Sequence, residues 1–392
     1  MDHTTVGIIG GGPAGLLLAR LLHNSGIDCV VLESRDRSYV EQRQRAGILE
    51  QSTVDVLRES GAGERLDREG LVHDGIELRW DRRAQRIDFP SLTGGRKVWV
   101  YAQTEVVKDL IALQVADGAP LLFETQVNEV VGADTDRPVI HYTHQGQDRT
   151  LGCDYVVGCD GFHGVTRKAV PDGVMSAFER VYPYSWFGIL ADVPPSCDEL
   201  IYAHSPRGFA LHSMRSATVS RLYLQVPNGT DPADWPDDRI WDELDARFAT
   251  DGDWRLERGP ITSKAVLPMR SFVTEPMRWG RVFLAGDAAH IVPPTGAKGL
   301  NLAVSDVVVL ARAFAHLKDS GSTELLDTYS DTCLRRVWRA EHFSYFMTTT
   351  LHTDPGQSAF ETRLQVSQLD RVSSSRHAAA ELAENYAGLH IG

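Results

Sequence analysis

Cysteine is scarce in this chain. The five present, Cys29, Cys153, Cys159, Cys197 and Cys333, are odd in number and scattered. No two have C-x-x-C spacing, which argues against a cysteine zinc site or any other metal centre and against a disulfide framework. Such usage suits a reducing compartment and points to the cytoplasm. No apolar run approaches 18 residues, so the sequence predicts no membrane span. The N-terminus, Met-Asp-His, passes at once into an apolar run and lacks the basic start and long apolar stretch of a signal peptide. Basic charge is also short: 40 Lys and Arg against 53 Asp and Glu leave a net −13, and no local basic stripe offsets it. A nucleic-acid surface is therefore not expected. Internal repeats and low-complexity segments are missing too. At 392 residues the chain is long enough for two substantial cores.

What is present is concentrated first in residues 1–33. Val6–Ile9 reads as a buried parallel strand. Gly10-Gly11-Gly12-Pro13-Ala14-Gly15 follows as a G-x-G-x-x-G and opens an apolar helical stretch from Leu16 to Leu22. A second strand-like run, Cys29-Val30-Val31-Leu32, ends on Glu33. Glycines in that pattern permit a tight turn, close approach to a pyrophosphate and tight helix–strand packing. The helix start offers free N–H groups and a positive dipole end, and an acid about 20 residues on accepts the ribose hydroxyls. This is a dinucleotide-binding unit. It stands alone, because Gly61-Ala62-Gly63 lacks the third glycine and follows a helix.

After Glu33 the densely charged stretch 34–45 reads as surface loop and short helix. Residues 46–70 read as a helix, and 71–100 as alternating antiparallel strands. Gln103–Ala116 has a helical pattern, and residues 121–157 return to strands. A second block, Tyr155–Arg167, is a buried strand ending in Asp160-Gly161, then a turn and a helix start. Residues 175–270 are rich in strands and aromatics, with one amphipathic helix at 236–249. A third block runs Arg281-Val282-Phe283-Leu284-Ala285-Gly286-Asp287-Ala288-Ala289-His290 and continues through Pro293, Pro294 and Gly296 into an apolar helix. Residues 323–351 and 357–385 read as two long helices.

The three blocks, in this order and spacing, resemble the class A flavoprotein aromatic hydroxylases over essentially the whole chain. Arg45-Ala46-Gly47-Ile48-Leu49-Glu50-Gln51, Cys159-Asp160-Gly161-Phe162-His163-Gly164 and the stretch His290–Leu302 look most like the members that hydroxylate 4-hydroxybenzoate at its 3-position. The resemblance implies an α/β architecture: a Rossmann-like FAD-binding domain, an interleaved mostly-β substrate domain and C-terminal helices. The boundaries expected are 1–174 for the first part of the FAD-binding domain, with a strand-rich section at 71–157. Residues 175–270 form the substrate domain, and 271–392 the second part with the helices. FAD is the held cofactor, NADH or NADPH a transient reductant, and dioxygen the oxidant. The partners expected are a small aromatic acid and a second copy of the chain in a homodimer, to which the aromatic-rich helix near Trp338–Phe346 contributes unless it packs internally.

Site roles carry over by the same resemblance. Gly10, Gly12, Ala14 and Gly15 meet the pyrophosphate, and Glu33 the adenosine ribose. Arg45 and Gln103 lie near the pyrophosphate. Asp160 and Asp287 serve the flavin side, Asp287 at the ribityl chain, and Gly299, Leu300 and Asn301 start a helix aimed at the flavin pyrimidine. Ser213, Arg215 and Tyr223 hold the substrate carboxylate, where a planar guanidinium grips two oxygens at once. Tyr202 bonds the substrate hydroxyl, Tyr386 bonds Tyr202, His73 exchanges the proton with solvent, and Pro294 contacts the reacting ring. Ser34, Arg35, Tyr39, Arg45, His163 and Arg270 form the surface for the nicotinamide. NADPH-selective relatives tend to carry Arg where this chain has Ser34. Asp36 should repel a 2′-phosphate while Arg35 and Arg37 attract one, so the expectation leans to NADH or dual use, with Gln44 a further polar choice. Two rivals stay open: a hydroxylase for another hydroxybenzoate isomer, and a non-redox binding protein on the same fold.

Overall fold

The computed structural model describes residues 2–43 and 47–391. The first sheet has eight strands, five of them parallel in the order Val282–Leu284, Gln147–Gly158, Asp2–Ile9, Cys29–Leu32, Leu121–Leu122. Their apolar runs are continuous because both faces are covered. Helices Pro13–Asn24, Gln103–Ala116 and Gly299–Ser320 pack on one face through Leu16, Val106, Leu110 and Val307. The antiparallel strands Thr125–Val131 and Val139–His144 fold back over the other through Val127, Val130 and Ile140.

The second sheet has eight strands, in the order His290–Ile291, Ile261–Glu275, Ser176–Ala191, Ser220–Pro227, Ala210–Met214, Leu200–Ala203, Gly75–Trp80, Arg83–Asp88. Every pairing is antiparallel except Leu200–Ala203 with Gly75–Trp80. Gly75–Trp80 and Arg83–Asp88 thus join the aromatic-rich sheet, although they lie far before its other strands in the chain. Alternation along its strands sends Ile201, Leu222 and Leu224 to one face, under the helix Asp237–Phe248. Tyr202, Leu211 and Tyr223 go to the other face, under the C-terminal helices. A small third sheet pairs Ile48–Glu50 and Leu71–His73 with Val98–Val100.

Several local expectations need correction. Residues 46–70 are not one helix. A strand at Ile48–Glu50 is followed by helices Gln51–Glu59 and Glu64–Glu69, separated at the Gly61-Ala62-Gly63 stretch. The block after Asp160 leads only to a single 3-10 turn, Thr166–Ala169, because Asp160 turns back to hold Thr166. The last two long helices are each broken: Glu324–Asp327 precedes Tyr329–Leu351, and Ser375 ends Ala359–Ser374 and caps Arg376–Ala387. Gly299–Ser320, at 22 residues, is the one helix among the described residues long and apolar enough to cross a membrane by length and composition. Its 18-residue apolar window is 67% buried against the first sheet, which gives that composition a core role.

Candidate active site

The strand Asp2–Ile9 delivers the chain to Gly10, and the helix Pro13–Asn24 opens with Pro in its first turn. Gly10 sits at φ +107°, and a Cβ there would lie 2.3 Å from the Cys159 carbonyl oxygen. A Cβ on Gly15 would lie 2.0 Å from the Gly10 carbonyl oxygen. Neither backbone neighbour can give way. At Gly12 nothing lies within 4 Å of a Cβ, so this side of the loop is open to a phosphate at the positive end of the helix dipole. Ala14 is buried in the helix's first turn. Glu33 is buried, and its two oxygens accept the Gly11 N–H at 2.6 Å and the Arg35 N–H at 2.8 Å. The acid is thereby fixed beside the loop.

At the ends of the neighbouring parallel strands lie two further carboxylates. Asp160 Oδ2 accepts from the Thr166 amide at 2.9 Å and its hydroxyl at 2.8 Å, while the buried Oδ1 has no protein partner. Burial pushes this carboxyl up, and the Thr166 bonds oppose the shift. Asp287 is exposed in the turn Gly286–Ala288. The helix Gly299–Ser320 has no side-chain cap, and nothing lies within 4 Å of a Cβ on Gly299. Leu300 is half-buried beside it. The Asn301 side chain is used internally: it accepts from the Glu50 amide at 2.9 Å and donates to the carbonyls of Ile48 at 3.1 Å and Ala297 at 2.9 Å. Only its backbone remains for a cofactor. Gln103 is half-buried at the start of its helix, and Arg45 lies outside the described residues. An open glycine loop, an orphaned buried oxygen on Asp160 and an uncapped helix start suit a long phosphorylated cofactor lying across strand ends, and FAD fits them.

The second sheet meets this edge with a layer of polar groups on its helix-covered face. Tyr202 pairs with Leu211, and Leu211 with Tyr223, so the two tyrosines share a face two strands apart, a spacing of about 10 Å. Tyr202 Oη lies 2.6 Å from Tyr386 Oη, and both rings are 1% exposed. Burial first, then the Tyr386 hydroxyl, hold the Tyr202 phenol well above its ordinary pKa. At the other end Ser213 is buried on the same strand as Leu211, and half-buried Arg215 donates to the Thr104 hydroxyl at 2.7 Å, next to Gln103. Burial and the nearby Arg221 guanidinium lower the Arg215 pKa. The Tyr223 ring packs tilted against Trp186, 4.6 Å between centroids, and lies under the Arg221 guanidinium at 5.3 Å. Pro294 begins the 3-10 turn Pro294–Gly296, which ends in Ala297 at φ +55°.

His73 is 1% exposed on the small third sheet, and neither ring nitrogen has a protein partner. Burial pulls its pKa down to about 4 against the pull of Glu199, Asp198 and Asp74. No hydrogen bond among the described residues joins it to Tyr386. The nicotinamide candidates fall into two groups. Arg270 stands 4.7 Å over the Phe162 ring, which also meets exposed His163 at 5.0 Å. Ser34, Arg35 and Tyr39 are exposed near Glu33, with the Arg35 guanidinium 5.2 Å from the Tyr39 ring. Asp36 caps the helix Arg37–Gln42 by accepting the Tyr39 amide at 2.8 Å. Its charge is therefore spent partly on a helix start.

Sequence reasoning gave no role to two buried pairs here. Lys298 Nζ lies 2.6 Å from Glu50 and 2.9 Å from the Tyr386 carbonyl, 248 residues apart in the first case. Asp306 Oδ2 takes both the Gly286 amide and His290. A lone Asp in the apolar run Ala303-Val304-Ser305-Asp306-Val307-Val308 was the one available signal.

Comparison with known proteins agrees with this geometry. A family model described as an FAD binding domain matches residues 3–344. The chain is 47% identical over 389 residues to p-hydroxybenzoate hydroxylase of Acinetobacter baylyi, covering 98% of this chain and 95% of that protein. It is 28% identical to the uncharacterized aromatic compound monooxygenase YhjG of Bacillus subtilis, over 83% of this chain and 64% of that protein. Among solved structures, p-nitrophenol 4-monooxygenase PnpA from Pseudomonas putida superposes with a TM-score of 0.84 at 20% identity, covering 99% of both chains, which speaks to the fold. The chain belongs to the FAD-binding family of class A flavoprotein aromatic hydroxylases and is a flavin-dependent aromatic monooxygenase.

Proposed function

We propose that the chain hydroxylates 4-hydroxybenzoate at its 3-position, giving 3,4-dihydroxybenzoate, with NADH or NADPH as reductant. The observation that carries this reading is the fully buried Tyr202–Tyr386 hydroxyl pair facing Ser213, Arg215 and Tyr223 across the sheet. Tyr202 at one end and Tyr223 about 10 Å away, with Ser213 and Arg215 on its neighbouring strand and turn, suit a ring bearing its hydroxyl and carboxylate in para positions. The 47% identical relative carries the matching name.

In this reading bound FAD would supply the redox chemistry between the nicotinamide and dioxygen. Everything else falls to the chain. Arg215, Ser213 and Tyr223 hold the carboxylate and fix the ring's orientation. The Tyr202 hydroxyl donates to the substrate oxygen and favours the phenolate, whose ring is the more electron-rich. The substrate phenol would pass its proton to the Tyr202 oxygen as Tyr202 passes its own to Tyr386; His73, with two unpartnered ring nitrogens and no direct bond to Tyr386, is the group proposed to exchange that proton with solvent. Pro294 closes the pocket beside the ring, and burial excludes water that would divert oxygen to peroxide. Glu33, Asp160, Asp287 and the starts of helices Pro13–Asn24 and Gly299–Ser320 hold FAD. Arg35, Tyr39, His163 and Arg270, with Arg45 and Ser34, receive the nicotinamide. Ser34 and the free cytoplasmic-type cysteines support an NADH or dual preference and a cytoplasmic home, respectively.

A homodimer belongs to the same proposal. Trp338, Tyr345 and Phe178 are exposed by 41% or more around one cleft, a face suited to a second copy. Sedimentation velocity reads the mass directly, and a monomer at micromolar concentration rejects it. The substrate test compares flavin reduction by NADH with the three hydroxybenzoate isomers. The 4-isomer should accelerate it far more than the 2- or 3-isomer, and equal stimulation by all three would discard the assignment.

A further inference from the structure

The turn Gly286–Ala288, which presents Asp287, is held from beneath by groups that the proposed chemistry does not use. The Gly286 amide donates to Asp306 Oδ2 at 2.9 Å. His290 Nε2 meets the same oxygen at 2.7 Å. Both side chains are 1% exposed. From the opposite side Arg167 donates to the Ala288 carbonyl at 3.0 Å. Gly286 sits at φ +60°, with Ala303 3.2 Å and Ala14 3.7 Å from a Cβ, so the turn is wedged against the two helix starts that frame the cofactor cradle.

We propose that His290 and Asp306 form a buried positioning pair that sets the Gly286–Ala288 turn, and with it Asp287, for FAD. This rests on the reading of Asp287 as a cofactor contact. The pair links the edge strand His290–Ile291 of the second sheet to the helix Gly299–Ser320 of the first. With His290 protonated, the pair is neutral. With His290 neutral, an unbalanced buried carboxylate lies under a turn that already carries Asp287 and must receive an anionic cofactor. The groups facing His290 are Asp306, Asp287 and Glu341; Asp306 also faces Cys333, Tyr329 and Cys159. Burial, the largest single effect, disfavours the charge on His290, but Asp306 together with Asp287 and Glu341 raises the pKa above that of an ordinary imidazole.

The sign follows. A group protonated preferentially in the complex weakens binding as pH rises through its pKa, by up to about tenfold per pH unit for one proton. FAD dissociation constants measured on the deflavinated full chain from pH 6 to 9 should rise in this way for the wild type. Asp306→Asn keeps an acceptor oxygen for Gly286 and removes the charge, so its dissociation constant should be larger at pH 6 and change less than about twofold over the range. A purely structural role would shift affinity and unfolding midpoint together at every pH and leave the slope intact; parallel wild-type and Asp306→Asn profiles overturn the proposal. Should Asp306→Asn fail to fold, His290→Gln gives the same reading, with the slope again lost. Asp287→Asn separates the two ideas: unchanged FAD affinity there rejects the contact assigned to Asp287, while the slope comparison alone judges the pair.

Discussion

Tyr202 shows how much a single hydroxyl decides. Burial and the Tyr386 hydroxyl keep its proton on, so in the proposed reading Tyr202 relays a proton without resting as a tyrosinate and is left as a donor to the substrate oxygen. Its aromatic partner Tyr386 is stacked on Phe89 at 5.1 Å and cannot swing away. Tyr202→Phe removes one oxygen and leaves the packing. The phenolate is then no longer favoured, and hydroxylation should fall by roughly 10²-fold, the size of a lost proton-transfer group. Reductant oxidation should continue, with most of its electrons appearing as hydrogen peroxide. The check is the ratio of 3,4-dihydroxybenzoate formed to NADH consumed; an unchanged ratio removes Tyr202 from the relay. Only the local part of this was legible in the sequence. The glycine loop and Glu33 announce themselves because their partners lie within a few tens of residues, as in the 2.6 Å bond from the Gly11 amide to Glu33. Tyr202 and Tyr386 lie 184 residues apart, and Arg215 and Thr104 lie 111 apart. No periodicity brings such pairs together, so resemblance alone named Tyr202, Tyr386 and Arg215, and Thr104 went unnamed. Lys298–Glu50 and His290–Asp306, which no motif names, went without a role.

Among the elements, the short helix Arg37–Gln42 has a consequence out of proportion to its length. It starts on Asp36, which accepts the Tyr39 amide at 2.8 Å, and it carries Tyr39 toward Arg35. The sequence shows the charges of this surface but not that Asp36 is a cap. Asp36→Ala should cost about 1 kcal/mol of local helix stability. It also removes a negative charge beside Arg35 and Arg37. The ratio of kcat/KM for NADPH over NADH should therefore rise by about twofold to fivefold, the worth of one exposed charge contact. An unchanged ratio would mean that the 2′-phosphate of NADPH docks elsewhere. Element boundaries were the least legible feature for a related reason. The breaks at Thr328 and Ser375 depend on local hydrogen bonds, such as the Ser375 hydroxyl accepting the Ala378 amide, and apolar spacing runs straight across them.

At the scale of the molecule, the buried histidines collect on one side. His352 is locked neutral: Nε2 accepts from the Trp186 indole at 2.6 Å and Nδ1 donates to the Thr348 carbonyl at 2.9 Å. His212 accepts the Ser196 amide at 3.0 Å and has no partner on Nδ1. Burial holds His352 down to about 3, and His212 and His73 down to about 4. His204 is shifted the same way. Each group has a folded pKa below its unfolded value near 6.5, so the unfolded chain takes up the proton first and stability falls as pH drops from about 6.5 toward 4. Glu341, pushed up to about 7 by burial, works in the other direction, because it keeps its proton in the folded chain. His352, His212 and His73 against Glu341 leave a net uptake of about two protons on unfolding near pH 5, on the order of 3 kcal/mol per pH unit, to which His204 adds in the same direction. Urea unfolding of the holoenzyme with excess FAD should show this loss between pH 6.5 and 5, and a flat profile would reject it. The loss is also directional. His212 lies on the second sheet, and His352 packs against its Trp186 and Phe209. No histidine of this group belongs to the parallel sheet under the cofactor. Acid therefore strikes the aromatic-acid half of the site first, and affinity for 4-hydroxybenzoate should fall before the flavin absorbance shows release of FAD.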